Sequence, residues 1–189
     1  MFDTGRTILR PYKESDVKLL LDLWNDAESQ GAIFIFAYPG PVREEFAKEM
    51  VEKMTKNSSF FALAFDKETD AFVGQVSLMT MSARNRGGNL GIALTKEWRG
   101  KGIGTEIVQW MTAYGFKELG LHRVSLGLVE SNVRALAVYK KIGYKIEGRA
   151  REACWLNGKW ENLVDMSILE QEWDMETGSI REEFQGREK

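Results

Sequence analysis

The sequence predicts an α/β chain, a mixed sheet with helices inserted between its strands, and three observations carry that reading. Apolar residues recur at helical spacing in some stretches and as short continuous or alternating runs in others. A glycine-rich turn, Arg99-Gly100-Lys101-Gly102-Ile103-Gly104, joins a strand-like stretch to a helix-like one. Further on, Asn157-Gly158 separates two strand-like runs, a strong hairpin signal because a tight turn of this kind needs positive φ at both central positions.

Residues 6–10 read as a strand. Pro11 ends it, and Ser15 and Asp16 are candidate caps for a helix in which Val17, Leu20, Leu21 and Trp24 recur at helical spacing. Pro39-Gly40-Pro41 breaks the chain, after which residues 42–56 place Phe46, Met50, Val51 and Met54 on one side of a second helix. Runs at 60–65 and 72–79 flank the polar turn Asp66-Lys67-Glu68-Thr69-Asp70 and predict an antiparallel hairpin. Residues 85–89 lead into a strand at 90–94 that runs to the glycine turn. From Gly104 a long helix is expected, with Ile107, Val108, Met111, Tyr114 and Phe116 as its buried stripe and its end by Gly120. A strand at 123–129, a short helix after Asn132, and strands at 144–153 and 161–169 follow. Beyond 170 the chain is acidic and polar with isolated Trp173, Ile180 and Phe184. The expected organisation is one domain over residues 1–170, with 171–189 as a polar tail or a docked helix.

Composition narrows the class. At 189 residues, 43% hydrophobic and 29% charged, the chain is long enough to bury a core and needs no second domain. A formal net charge of −2 gives no general attraction to nucleic acid or anionic membrane, so neither is an expected partner. The one cysteine, Cys154, rules out an intramolecular disulfide framework and comes with no cluster for a structural zinc, so no metal site is expected and a reducing compartment is. Residues 1–13 hold no continuous apolar core of a signal peptide, and the longest apolar run, 32–38, is too short to span a bilayer. A cytoplasmic location is the expectation.

The glycine turn carries the chemistry. A strand that breaks into glycines and restarts as a helix leaves several backbone N–H groups pointing one way at the positive end of a helix dipole, which is a phosphate site. The glycines admit a bulky anion close to the main chain, and Arg99 and Lys101 add charge beside it. The spacing fits neither a P-loop nor a dinucleotide fingerprint. The turn resembles instead the Arg/Gln-x-x-Gly-x-Gly/Ala turn of the GCN5-related N-acetyltransferases (GNAT superfamily), here Arg99, Gly102 and Gly104.

A second segment, from Asn132 through Ala135 and Tyr139 to Gly143-Tyr144, resembles that family's Asn-x-x-Ala-x-x-x-Tyr-x-x-x-Gly-Phe/Tyr pattern. Thr7-Ile8-Leu9-Arg10-Pro11 looks like its opening strand and residues 148–166 like its closing hairpin. Only the last twenty or so residues have no counterpart. The pattern is most similar to the ribosomal-protein N-terminal acetyltransferase and small-amine branch.

The resemblance implies the GNAT fold, a central mixed and mostly antiparallel sheet flanked by helices and splayed between two central strands. It implies acetyl-CoA as cosubstrate and transfer of its acetyl group to a primary amine, a small molecule or a peptide N-terminus, by direct attack on the thioester. The protein would act as a monomer or homodimer. The pantetheine arm would bond Ile92, Ala93 and Leu94 as a third strand would, and the pyrophosphate would sit on Arg99, Gly100, Lys101, Gly102, Ile103, Gly104 and Thr105.

By the same match Tyr139 would protonate the departing thiolate; read from the residue alone, it is equally a tyrosine packing its ring. Asn132 would contact the cofactor or cap its helix. Where many relatives carry a glutamate base, this chain has Asn89, which takes no proton from ammonium. The base is then Glu130, Glu152, Glu161 or a chain of waters, or the protein is a non-catalytic acyl-CoA sensor. His122, without triad partners, and Cys154, without an activating neighbour, belong to the background. The acceptor side in relatives corresponds to residues 28–41 and the hairpin at 155–160, both aromatic here: Phe34, Phe36, Tyr38, Trp155 and Trp160. Glu28, Glu44 and Glu45 are the carboxylates a polyamine acceptor would use.

Overall fold

Short apolar and alternating runs become strands, and stretches with 3.6-residue periodicity become helices. The structure, a computed structural model, describes residues 1–35 and 40–185. In chain order its elements are β1 (Phe2–Asp3), β2 (Thr7–Arg10), α1 (Val17–Trp24), α2 (Ala27–Ile33), α3 (Glu44–Asn57), β3 (Ser58–Asp66), β4 (Phe72–Ser82) and β5 (Gly87–Leu94), then α4 (Ile103–Lys117), β6 (Arg123–Val129), α5 (Val133–Ile142), β7 (Lys145–Leu156), β8 (Lys159–Leu169), β9 (Trp173–Asp174) and β10 (Ser179–Ile180). The chain divides into two compact units, Met1–Met79 with Gly91–Ile107 and Thr80–Leu90 with Val108–Lys189.

In the first unit the strands follow the order β1-β2-β3-β4-β5, antiparallel from β1 through β4. Leu20, Leu23 and Trp24 of α1, Ala47 and Val51 of α3, and Leu63 and Phe65 of β3 form one buried cluster. Met50 and Met54 pack against it half-buried, whereas Phe46, expected on the same face, is 42% exposed and rests on the Phe34 ring. Asp16 does not cap α1 with its side chain. It turns back to accept from the Lys13 N–H at 2.8 Å and from both Arg10 guanidinium nitrogens, Nη1 at 2.8 Å and Nη2 at 2.9 Å. A buried carboxylate gains more from a bidentate arginine than from one helix N–H. Helix α2 is an element that no periodicity in the sequence predicts. Asp26 caps it, accepting from the Ser29 N–H at 3.0 Å.

In the second unit the order is β5-β6-β8-β7, with β5 parallel to β6 and the other pairs antiparallel. The Asn157-Gly158 turn between β7 and β8 has φ of 51° and 78°, as its sequence predicts. Met111 and Phe116 of α4, Val124 and Leu126 of β6 and Met166 and Ile168 of β8 are buried. Tyr114, expected in that stripe, is only half-buried and stacks on Trp110 with ring centroids 5.1 Å apart.

Past β8 the expected helix or tail is instead a short 3-10 turn followed by the hairpin of β9 and β10. Asp174 Oδ1 organises the hairpin by accepting from the N–H groups of Glu176 and Thr177 at 2.8 and 3.1 Å. Trp173 is fully buried. Among the described residues no helix is long and apolar enough to cross a membrane.

Candidate functional site

The glycine turn lies in the first unit. A 3-10 turn, Lys96–Trp98, intervenes between β5 and the glycines, and α4 begins at Ile103. Gly100 and Gly102 have φ of 76° and 81°, a region that costs any other L-residue roughly 1–2 kcal/mol. A Cβ on Gly104 would lie 3.2 Å from Leu94 Cδ1, so its absence lets the helix start close to the end of β5. The first N–H groups of α4 have no intrahelical acceptor by helix geometry, and they belong to the predicted Ile103, Gly104 and Thr105.

The charges at the turn differ from the prediction. Arg99 Nε donates to Leu94 O at 3.1 Å, Nη2 to Asp26 Oδ2 at 3.0 Å and to Ser29 Oγ, and Nη1 to Glu28 Oε2 at 3.3 Å. Its guanidinium is thus committed to the cap of α2, because two carboxylates there outcompete solvent. Lys101 Nζ stands 4.8 Å from the Trp98 ring centroid.

The cation the sequence reading missed is Arg6. Its Nη1 donates to Lys101 O at 3.0 Å, its Nε donates to Glu106 Oε2 at 2.8 Å, and its Nη2 lies 3.4 Å from where a Gly102 Cβ would be. Glu106, in the first turn of α4, would be raised by burial alone, but hydrogen bonds from Arg6 and Thr4 hold its carboxyl below the usual range. Arg6 thereby offsets the acid that would otherwise oppose an anion. No local pattern marks Arg6; only the fold brings it to the turn.

The ladder between β5 and β6 pairs Gly87 with Arg123, Gly88 with Val124 and Asn89 with Ser125. Ile92, Ala93 and Leu94 lie past its last pair. A Cβ on Gly74 would lie 2.1 Å from Ala93 O, so only glycine permits this approach of β4 to β5. Asn89 donates to Ser125 Oγ at 3.4 Å.

Helix α5 lies in the second unit. Asn132 caps it, its Oδ1 accepting from the Ala135 N–H at 3.2 Å. Gly143 ends it with φ 114°. Between them Tyr139 is half-buried, its ring 5.8 Å from that of Tyr144, and burial pushes its phenol up to about 12. Thr112 Oγ1 donates to Val108 O at 2.8 Å, which leaves the Tyr144 hydroxyl to donate to Thr112 Oγ1, also at 2.8 Å.

The Glu130 and Glu161 carboxylates are engaged in ion pairs. Glu130 pairs with Arg149 at 2.7 Å and accepts from Asn162 Nδ2 at 2.7 Å. Glu161 pairs with Lys159 at 2.8 Å, which holds its carboxyl below the ordinary range. Glu152 sits at φ 51°, its N–H donating to Asn162 Oδ1 at 2.9 Å. His122 is half-exposed, 3.8 Å from Glu170. Burial pushes the Cys154 thiol up. Among the described residues no group of three or more His, Cys, Asp and Glu side chains is placed to hold a metal ion.

Of the acceptor-side aromatics, Phe34 packs on the first core, its ring edge-on to Trp24 at 6.0 Å. Trp155 and Trp160 form an edge-on pair at 5.2 Å and are 59% and 57% exposed, which leaves them available as a surface. Phe36 and Tyr38 lie outside the described residues. Glu28 is paired with Lys96 at 3.1 Å as well as with Arg99, and Glu44 with Lys48 at 2.6 Å.

The family model described as an acetyltransferase (GNAT) domain matches residues 6–145. The chain is 37% identical over 103 residues to the Bacillus subtilis protein named "Putative ribosomal N-acetyltransferase YdaF", a match spanning 54% of this chain and 56% of that one. It is 26% identical over 167 residues to the spermidine N(1)-acetyltransferase of Escherichia coli K12, covering 87% of each. The crystal structure of spermidine N-acetyltransferase from Vibrio cholerae, in complex with CoA and spermine, superposes with a TM-score of 0.80 at 23% identity over 88% of this chain and 97% of that one.

Proposed function

Because the chain belongs to the GNAT acetyltransferase family, whose enzymes take their acyl group from acetyl-CoA, we propose that it transfers that acetyl group to a primary amine by direct attack on the thioester. The observation that carries this is the turn at the start of α4. Two left-handed glycines, the open N–H groups of the first helical turn and the Arg6 and Lys101 cations form a donor set suited to a diphosphate. In this reading Arg6 and residues 100–105 hold the diphosphate, and the peptide groups of residues 92–94 hold the pantetheine arm.

The amine nitrogen bonds to the thioester carbon, the carbon–sulfur bond breaks, and the attacking nitrogen loses a proton. A backbone N–H of residues 92–94 would stabilise the carbonyl oxygen as it gains charge. By the family pattern Tyr139 is the group that serves the departing sulfur. With its phenol at about 12 and a thiol near 8.5, complete proton transfer would run uphill by roughly 5 kcal/mol. Tyr139 therefore donates a hydrogen bond to the departing thiolate, and the net proton comes from the amine. Asn89 takes no proton from the amine, so that proton passes through water to the thiolate.

A less charged amine or a peptide N-terminus is favoured over a polyamine, because two of the three candidate acids, Glu28 and Glu44, are already paired with cations and Trp155 and Trp160 offer an apolar surface. The test is thiol release from acetyl-CoA over a panel of simple amines, polyamines, amino acids and N-terminal peptides. Turnover on one class supports the reading and names the acceptor. Tight acetyl-CoA binding without turnover on any class makes the protein an acyl-CoA sensor.

A further inference from the structure

Helix α5 depends at its C-terminal end on a segment outside the region that matches the family. Gly143 and Tyr144 both donate their N–H groups to the carbonyl oxygen of Tyr139, at 3.1 and 3.0 Å. Gly143 is restricted to glycine twice over. Its φ is 114°, and an added Cβ would lie 2.8 Å from Ile180 Cβ, 3.0 Å from Cγ1 and 3.1 Å from Cδ1. Ile180 thus seats directly on the peptide that closes the helix carrying Tyr139.

Ile180 is no loose contact, because the hairpin that bears it is held from several sides. Gln109 Nε2 of α4 donates to Gly178 O at 2.8 Å, and the buried Trp173 ring lies 6.0 Å from that of Phe116. Arg181 closes the hairpin base, its N–H donating to Glu172 O at 2.8 Å and its Nε to Trp173 O at 3.1 Å. Glu172 in turn pairs with Lys145 at 2.6 Å and accepts from the Leu169 N–H at 3.0 Å. Such a brace sets the axial position of the last turn of α5, while Tyr144, tied to α4 through Thr112, sets the face against which the Tyr139 ring rests.

We propose that the hairpin of β9 and β10 is a positioning element for Tyr139 and that Ile180 is the residue through which it acts. The inference rests on Tyr139 serving the departing sulfur. A displaced phenol loses its hydrogen bond to the thiolate while the diphosphate site, on another part of the chain, is untouched.

The test is a double-mutant cycle on the full chain, read by steady-state kinetics with acetyl-CoA and the best amine of the panel. Ile180→Ala should lower kcat about tenfold, with the KM for acetyl-CoA unchanged and the melting temperature only modestly reduced. Ile180→Val, which keeps the contact at Gly143, should restore most of the loss. In the Tyr139→Phe background Ile180→Ala should cost nothing more, since the group it positions is gone. Should Ile180→Ala fail to fold, Ile180→Thr, which removes the Cδ1 contact and keeps a β-branched strand residue, carries the same cycle. An equal further loss in the Phe background, or a wild-type kcat per folded molecule for Ile180→Ala while Tyr139→Phe is impaired, overturns the proposal. A wild-type kcat for Tyr139→Phe itself overturns the role of Tyr139, and the positioning role falls with it.

Discussion

The Arg6 guanidinium donates from Nη1 to the carbonyl oxygen of Lys101 at 3.0 Å, joining positions 95 residues apart. It places a cation at the glycine turn from the side of β2, while Arg99, the cation adjacent in sequence, faces the cap of α2. The two arginines should therefore separate by experiment. Arg6→Ala should weaken CoA binding about tenfold, the worth of one charge-assisted hydrogen bond and the exposure of Glu106 as an unmatched acid. Arg99→Ala should change affinity by less than about threefold and lower the melting temperature instead, because it frees Asp26 and Glu28 from their partner. Calorimetric titration with CoA and a thermal melt on each variant decide it; the opposite ranking would put Arg99 on the diphosphate.

Gly102 is tested by two steps of severity. Gly102→Ala forces a side chain into φ 81° and sets a methyl 3.4 Å from Arg6 Nη2. The expected cost is about 1–2 kcal/mol in stability with a moderate loss of CoA affinity. Gly102→Asp adds a negative charge where the diphosphate approaches, so binding should fall at least about a hundredfold while circular dichroism stays native. Normal calorimetric affinity in the Asp variant would remove the turn from the binding site.

The legible parts of this fold are those that local physics specifies. Residues 123–129 become β6 with no adjustment, because an alternating apolar run between a helix and a polar turn has few other outcomes. Helix α2 escaped since Gly31 lowers its helix propensity and no apolar stripe marks it; its one local signal is the Asp26 cap. The β9–β10 hairpin escaped because two-residue strands carry no periodicity, although the Asp174-to-Gly178 turn is visible in composition. Asp16 reads as a cap and serves as an arginine partner, a choice made by tertiary contact. The same holds at the site: glycine positions follow from the backbone they must adopt, whereas Arg6 arrives by folding alone.

Asp16 gives a pH test of that tertiary choice. Hydrogen bonds from Arg10 chiefly hold its carboxyl below the ordinary 3.8, against the opposing effect of burial. A depressed folded value means that the pair's stabilisation is fully present above 3.8 and is lost as pH falls through the folded value. Asp16→Asn should therefore be less stable than wild type at pH 7, with the difference shrinking below about pH 4 as the wild-type carboxyl protonates. Urea unfolding at pH 7 and pH 3 measures it, and a gap that stays constant would mean Arg10 contributes nothing through Asp16.

Tyr139 separates catalysis from packing and fixes the form of the proton transfer. Removing only the hydroxyl in Tyr139→Phe deletes a hydrogen bond to a developing thiolate, worth about 1.5–3 kcal/mol, so kcat should fall roughly ten- to a hundredfold. CoA affinity should not change. Because burial holds the phenol at about 12, it stays protonated across the working range. The wild-type pH profile of kcat should then show no descending limb from this group between pH 8 and about 10, and the Phe variant should reproduce the same shape at reduced height. A phenol that surrendered its proton outright at an ordinary value near 10 would instead give the wild type an alkaline fall that the variant lacks. Matching kcat values in the two proteins would assign the thiolate's stabilisation to water.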